Sequence, residues 1–202
     1  PHSVAVWDAK EKISTTWREL ETMILQCRAH LTNNGVLSGD RVAILAPFTA
    51  RTIACIYACW AQGVIPVVAD PGLGLANMRR ALRESRPTFV VTIRATRIAA
   101  RVLHLAHRAK RLDLSAITEP GPQSPSDWNN IADSHIAAVL YTSGATGPAK
   151  GVVYTHGQLR ALAAAIQSQF SISDDDGIAA AYIPFALYGP CLLYTSDAAD
   201  EE

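Results

Sequence analysis

Tyr141–Gly151, YTSGATGPAKG, concentrates the groups that grip a polyphosphate. Gly144, Gly147 and Gly151 permit backbone conformations and close approaches that a β-carbon obstructs. Thr142, Ser143 and Thr146 supply hydroxyls, and Lys150 supplies a cation that can meet phosphate oxygens. Concave clusters of backbone amides bind anions even away from a helix end. The spacing is not that of the Walker-A loop, because Lys150 follows Gly147 by three positions and Gly151 stands where Ser or Thr is needed. No G-x-G-x-x-G dinucleotide fingerprint is present. The plainer reading is a flexible turn between two strands, but an ordinary turn seldom gathers so many hydroxyls, glycines and a lysine.

The longer string YTSGATGPAKGVVYTH resembles the signature of the adenylate-forming superfamily, which holds acyl-CoA synthetases, peptide-synthetase adenylation domains and luciferases. Upstream, Thr16–Leu20 (TWREL), Gly39–Ala43 (GDRVA) and the Ala58–Pro71 stretch resemble further segments of that family, so the likeness runs over nearly all of residues 1–190. It implies a two-step reaction in which a carboxylic acid attacks the α-phosphate of ATP, and a thiol such as coenzyme A then takes the acyl group. Carried over residue by residue, it implies a β/γ-phosphate grip made by Thr142, Ser143, Gly144, Ala145, Thr146, Gly147 and Lys150, working with Mg²⁺. Ala145 stands where the family has a hydroxyl, a loss on the order of 1 kcal/mol. Pro148-Ala149 stands where x-Pro is usual.

Two further places attach to the resemblance. His156 opens the helix beyond the loop, where the family often has a histidine; it reads either as an orienting group for loop or substrate or as an exposed first-turn residue. Ile183–Pro190 (IPFALYGP) stands where the family shows P-x-x-H-x-x-G around the acyl pocket, with Ala186 in the histidine's place. A small residue there leaves room for a bulky or long acyl chain. With Phe185, Tyr188 and Gly189, the segment resembles a branch that activates long-chain or β-hydroxy fatty acids, including β-lactone-forming ligases. The rival readings are an amino-acid-activating adenylation domain and a non-catalytic nucleotide-binding relative. His104 and His135 have only structural readings.

A chain of 202 residues, 49% of them hydrophobic, suffices to bury a real core. The 18 basic and 18 acidic residues cancel, which gives no net pull toward nucleic acid or an anionic membrane. The expected setting is cytoplasmic, with no transmembrane segment, since no apolar run reaches the ~20 residues a spanning helix needs. Cys55 and Cys59 lie four apart and share a helical face; no further metal ligands stand near them, so they read as buried thiols, and no metal site is expected.

Strands alternating with helices predict an α/β fold, a mostly parallel sheet flanked by helices. Thr16 and Glu19 have capping-box spacing and open a helix whose stripe is Leu20, Met23, Ile24, Cys27 and Leu31, stopped by Asn33-Asn34-Gly35. Arg41–Ala46, Val64–Ala69, Phe89–Thr92, Ile136–Tyr141, Gly151–Tyr154 and Ile178–Ile183 read as strands. Thr49–Gln62, Leu75–Ser85, Ala95–Lys110 and a capped run from Thr155 to Phe170 read as helices, and Glu119–Asp127 as a linker.

Cys191–Glu201, CLLYTSDAADE, can be encoded by a codon string that matches, from its second base to its last but one, a transposon-end adapter used in building sequencing libraries. Residues 1–190 are therefore expected to be a partial AMP-binding domain and 191–202 a non-native tail. The resemblance implies that the ribose-binding aspartate, the hinge and the mobile domain with its catalytic lysine lie beyond residue 202, so this chain alone is expected not to turn over.

Overall fold

The computed structural model describes residues 3–69, 71–103, 105–106, 108–117, 131–142, 149–173 and 176. The chain opens with an antiparallel hairpin, Val4–Asp8 (β1) and Ile13–Thr16 (β2). Helix α1 (Trp17–Asn33) starts in the predicted capping box: the Thr16 hydroxyl accepts from the Glu19 amide, and the Glu19 carboxylate accepts from the Thr16 amide at 2.7 Å. Leu20, Ile24, Cys27 and Leu31 are buried along its stripe. Then follow Arg41–Leu45 (β3), Ala50–Ala61 (α2), Ile65–Ala69 (β4), Gly74–Ser85 (α3), Phe89–Thr92 (β5), Arg94–Val102 (α4) and Lys110–Asp113 (β6). The last described elements are Ile136–Thr142 (β7), Lys150–Thr155 (β8) and His156–Phe170 (α5).

Six strands form one sheet in the order β6-β5-β3-β4-β7-β8, parallel except for β8, which runs antiparallel to β7. Successive side chains on a strand point to opposite faces, and the packing follows that period. Val42, Ile44, Val68, Val91 and Leu140 belong to a core shared with α1, α2 and α5. Ala43, Val67, Val90, Val139 and Tyr141 belong to a second core, shared with α3 and α4. The inner parallel strands β3, β4, β5 and β7 are buried on both faces, which explains their continuous apolar runs.

One expectation is corrected. The helix expected over Ala95–Lys110 ends at Val102, and Lys110–Asp113 is an edge strand pairing in parallel with β5. Its KRLD sequence has a single apolar residue, Leu112, which is buried; the charged neighbours are tolerated because an edge strand is half solvated. The β1–β2 hairpin carries no glycine or proline to mark its turn. Instead the Asp8 carboxylate accepts from the amides of Lys10 and Glu11, each at 3.0 Å, and Lys12 takes φ +55°. The expected Glu119–Asp127 linker and Ile178–Ile183 strand lie outside the described residues.

Cys27, Cys55 and Cys59 are free, buried thiols between α1 and α2. A thiol hydrogen bond with Cys55, then burial, pushes the Cys27 thiol far up, so it is uncharged.

Candidate functional site

Strand β7 carries the apolar run IAAVLY in parallel register beside β4, with Val67 opposite Val139 and Ala69 opposite Tyr141. It therefore delivers its carboxyl end, Thr142, to the same edge of the sheet as the ends of β3, β4 and β5. That edge has a topological switch: the helix after β3 packs on one face, and the helix after β4 on the other. Open α/β sheets hold ligands outside the carboxyl ends of their strands at such a point. Residues 143–148 lie outside the described residues, but both anchors of the segment are defined, since Thr142 pairs with Lys150 across β7 and β8. Lys150 is exposed at that edge, and Ala149 is buried in the second core.

One step below the anchors, Tyr141 pairs with Gly151. The Tyr141 ring lies across this glycine so closely that a β-carbon at position 151 would meet Cζ at 2.8 Å and Oη at 3.0 Å. Gly151 is thus required by a close approach, that of the tyrosine ring, rather than by a left-handed backbone. Burial pushes the Tyr141 phenol above its ordinary value and the Glu84 charge adds to it, while Arg41 and a hydrogen bond with Ser85 act the other way. Ser85 ends α3, and its backbone carbonyl accepts from the Arg41 guanidinium at 2.9 Å. The base of the segment is therefore braced by an aromatic ring that α3 and β3 hold in turn. Sequence reading by residue type missed this pair; counting the hairpin register outward from Thr142 and Lys150 would have found it.

The structure separates His156 from those anchors. Strand β8 runs away from Lys150 for five residues before α5 begins, about 17 Å at ~3.4 Å per residue. His156 thus sits at the opposite edge of the sheet, beside His135, whose carbonyl accepts from the His156 amide at 3.0 Å. Nor is it an exposed first-turn residue. It is half-buried, edge-on to the Trp60 ring at 6.1 Å between centroids, and its Nε2 is shielded without a hydrogen-bond partner. Burial, and secondarily His135, lowers its pKa from the ordinary histidine value. The neutral imidazole helps to pack Trp60, whose indole N–H donates to the Ala137 carbonyl at 2.7 Å.

Of the predicted phosphate grip, the described residues place Thr142 and Lys150 side by side; Ser143, Gly144, Ala145, Thr146 and Gly147 lie outside them, as do Phe185, Ala186, Tyr188 and Gly189. Among the described residues, no group of three His, Cys, Asp or Glu could hold a metal ion. No described helix is long and apolar enough to cross a membrane.

Comparison with known proteins agrees with this frame. The family model described as AMP-binding enzyme matches residues 1–194. An olefin β-lactone synthetase of Xanthomonas campestris pv. campestris is 26% identical over 196 residues, 91% of this chain and 35% of that protein. A p-hydroxybenzoic acid–AMP ligase of Mycobacterium tuberculosis is 32% identical over 126 residues, 62% of this chain and 17% of that protein. Among solved structures, an O-succinylbenzoate coenzyme A synthetase from Bacillus subtilis in complex with AMP superimposes with a TM-score of 0.77 at 21% identity. It covers 96% of this chain and 51% of that one, a likeness of fold. The chain spans about a third of the length, or less, of the curated relatives it matches.

Proposed function

The chain belongs to the AMP-binding enzyme family, and from that premise we propose that its parent protein uses ATP to activate a carboxylic acid as an acyl-adenylate. The acid's oxygen attacks the α-phosphate, pyrophosphate leaves, and a thiol, coenzyme A in our reading, then displaces AMP. The observation that carries this is the Thr142–Lys150 segment, mounted on paired anchors at the carboxyl edge beside the switch point. In this reading Thr142, Ser143, Gly144, Ala145, Thr146 and Gly147 wrap the β- and γ-phosphates. Lys150 supplies the fixed positive charge that stabilises the displaced pyrophosphate. Mg²⁺ would arrive with the nucleotide and neutralise part of the same charge. Tyr141 and Gly151 act as positioning residues that fix where the segment leaves the sheet.

For the acid we favour a fatty acyl chain. Ala186 within Phe185–Gly189 supports it, as does the likeness to an enzyme named for β-lactone synthesis. We assign turnover to the longer protein, and we read residues 191–202 as translated adapter; resequencing the source gene across Pro190 checks the latter, and finding these codons in place would refute it.

The test is carboxylate-dependent ATP–pyrophosphate exchange by the full-length protein, run across fatty, aryl and amino acids. Exchange that needs a fatty acid supports the reading in full. Exchange with amino acids alone would leave the adenylation and overturn the substrate, and exchange with no acid present would overturn the ligase assignment itself. Lys150→Ala is expected to raise the KM for ATP by about tenfold or more; unchanged kinetics would remove Lys150 from the grip.

A further inference from the structure

Overall neutrality conceals a segregation of charge. Ten of the 18 lysines and arginines fall within residues 79–111, where Glu84 is the single acid. Most of these cations are on or beside α3 and α4, which pack on the same face of the sheet and are tied together by Arg79, whose guanidinium donates to the Leu103 carbonyl at 3.1 Å. Glu84 on α3 and Asp113 at the end of β6 are already engaged, by Arg80 at 2.6 Å and Arg97 at 3.0 Å.

Helix α4 is turned the wrong way for a helix that serves only the core. At about 100° per residue, buried Ala100 lies roughly opposite Ile98, so the isoleucine stands at the solvent-facing apex. Ile98 is 67% exposed and Val102, one turn on, is 68% exposed. Arg94, Arg97 and Arg101 flank this ridge on one side and are all exposed.

We propose that the α3–α4 face is a membrane-surface contact, in which Ile98 and Val102 enter the interface of an anionic bilayer and the flanking arginines meet lipid phosphates. Apolar side chains at the apex with arginines beside them are the arrangement of an interfacial helix, where long cationic side chains reach headgroups from a partly inserted ridge. The headgroup region of an anionic bilayer matches both features at once, since it accepts exposed branched side chains and offers phosphates to the clustered arginines. Charge attraction of this kind is reversible and falls with salt. The proposal is independent of which acid the family site activates.

The experiment is co-flotation of the full-length protein with vesicles, either of phosphatidylcholine alone or with about one third phosphatidylglycerol. The protein should float with the anionic vesicles only and be released as salt is raised. Arg94→Glu with Arg101→Glu should weaken binding at least about tenfold. Ile98→Gln should weaken it by about threefold or more at any salt. Arg18→Glu, on α1 across the sheet, should leave it unchanged. Unaltered circular dichroism and melting temperature establish that each variant is folded. Equal flotation with neutral vesicles, no flotation of folded protein, or flotation indifferent to the Arg94/Arg101 reversal would each overturn the proposal. Capture by a polyglutamate matrix without flotation would reassign the face to an acidic protein, and overturn it likewise.

Discussion

The two faces of the sheet are built from the same strands and differ in nearly everything laid on them. On one face α2 (ARTIACIYACWA) is almost wholly buried beneath α1 and α5, and its charge is confined to Arg51, whose guanidinium donates to the Ile117 carbonyl at 2.9 Å. On the other, α3 and α4 bury only Ala81, Leu82, Ser85 and Ala100 and turn a run of arginines outward. The first face therefore carries most of the large buried side chains, while the second braces the anchors of the 142–150 segment through Tyr141 and leaves a charged surface exposed. Substitutions should follow that division, costing most under α2 and least on the arginine side.

The largest effect is expected at Trp60, whose ring stacks edge-on with Tyr57 at 5.2 Å and His156 at 6.1 Å while its N–H holds the Ala137 carbonyl. Trp60→Ala removes a large buried ring and orphans that carbonyl, so a loss of about 3–5 kcal/mol is expected from urea unfolding. Arg83→Ala, on the exposed side of α3, should stay within about 0.5 kcal/mol of the parent. Comparable losses at the two sites would break the division of labour.

Gly151→Ala is the next largest. With the ring atoms of Tyr141 at 2.8–3.0 Å from the added carbon, either the ring or the strand must shift, at a cost of about 1–3 kcal/mol. Pairing it with Tyr141→Leu should recover part of the stability of Gly151→Ala alone, and a double-mutant cycle measures that coupling. Additive losses would mean that the ring is not what excludes a side chain at 151.

Much of this was legible beforehand, and the failures have physical causes. Phe89–Thr92 is legible at its observed bounds because four apolar or β-branched residues between turn signals leave little choice. Both capping boxes were legible because Ser/Thr-x-x-Glu/Gln is a local code. The β1–β2 turn and β6 were not, since one is closed by a carboxylate and the other is carried by Leu112 among charges. The Tyr141–Gly151 brace and the separation of His156 from Lys150 depend on register, which no local pattern encodes. A net charge of zero likewise hides the clustering of basic residues over 79–111.

A smaller effect sharpens the contrast at the start of α5. The Thr155 hydroxyl accepts from the Gln158 amide at 3.2 Å, and the Gln158 side chain accepts from the Thr155 amide at 2.9 Å. Thr155→Ala should cost about 1 kcal/mol. Thr155→Ser should restore most of it; a serine variant as weak as alanine would show that the cap is not the cause.

The smallest expected effect is a pH dependence just below neutrality, carried by histidines on the apolar face. Burial lowers the His156 pKa from the ordinary 6.5, with His135 adding to the shift, and burial does the same at His30. The unfolded chain therefore takes up protons at a pH where the folded chain still refuses them. The stability carried by these neutral rings is complete above about pH 6.5 and drains away as pH falls through that value toward the lower folded pKa. His156→Phe keeps an aromatic edge against Trp60, removes the shielded, unpartnered Nε2, and should flatten this acid limb, leaving only the share due to His30. Urea midpoints compared at about pH 7.5 and about pH 5.5 read the difference directly. A variant whose midpoint falls as far as the parent's would place the acid sensitivity elsewhere and return His156 to the solvent.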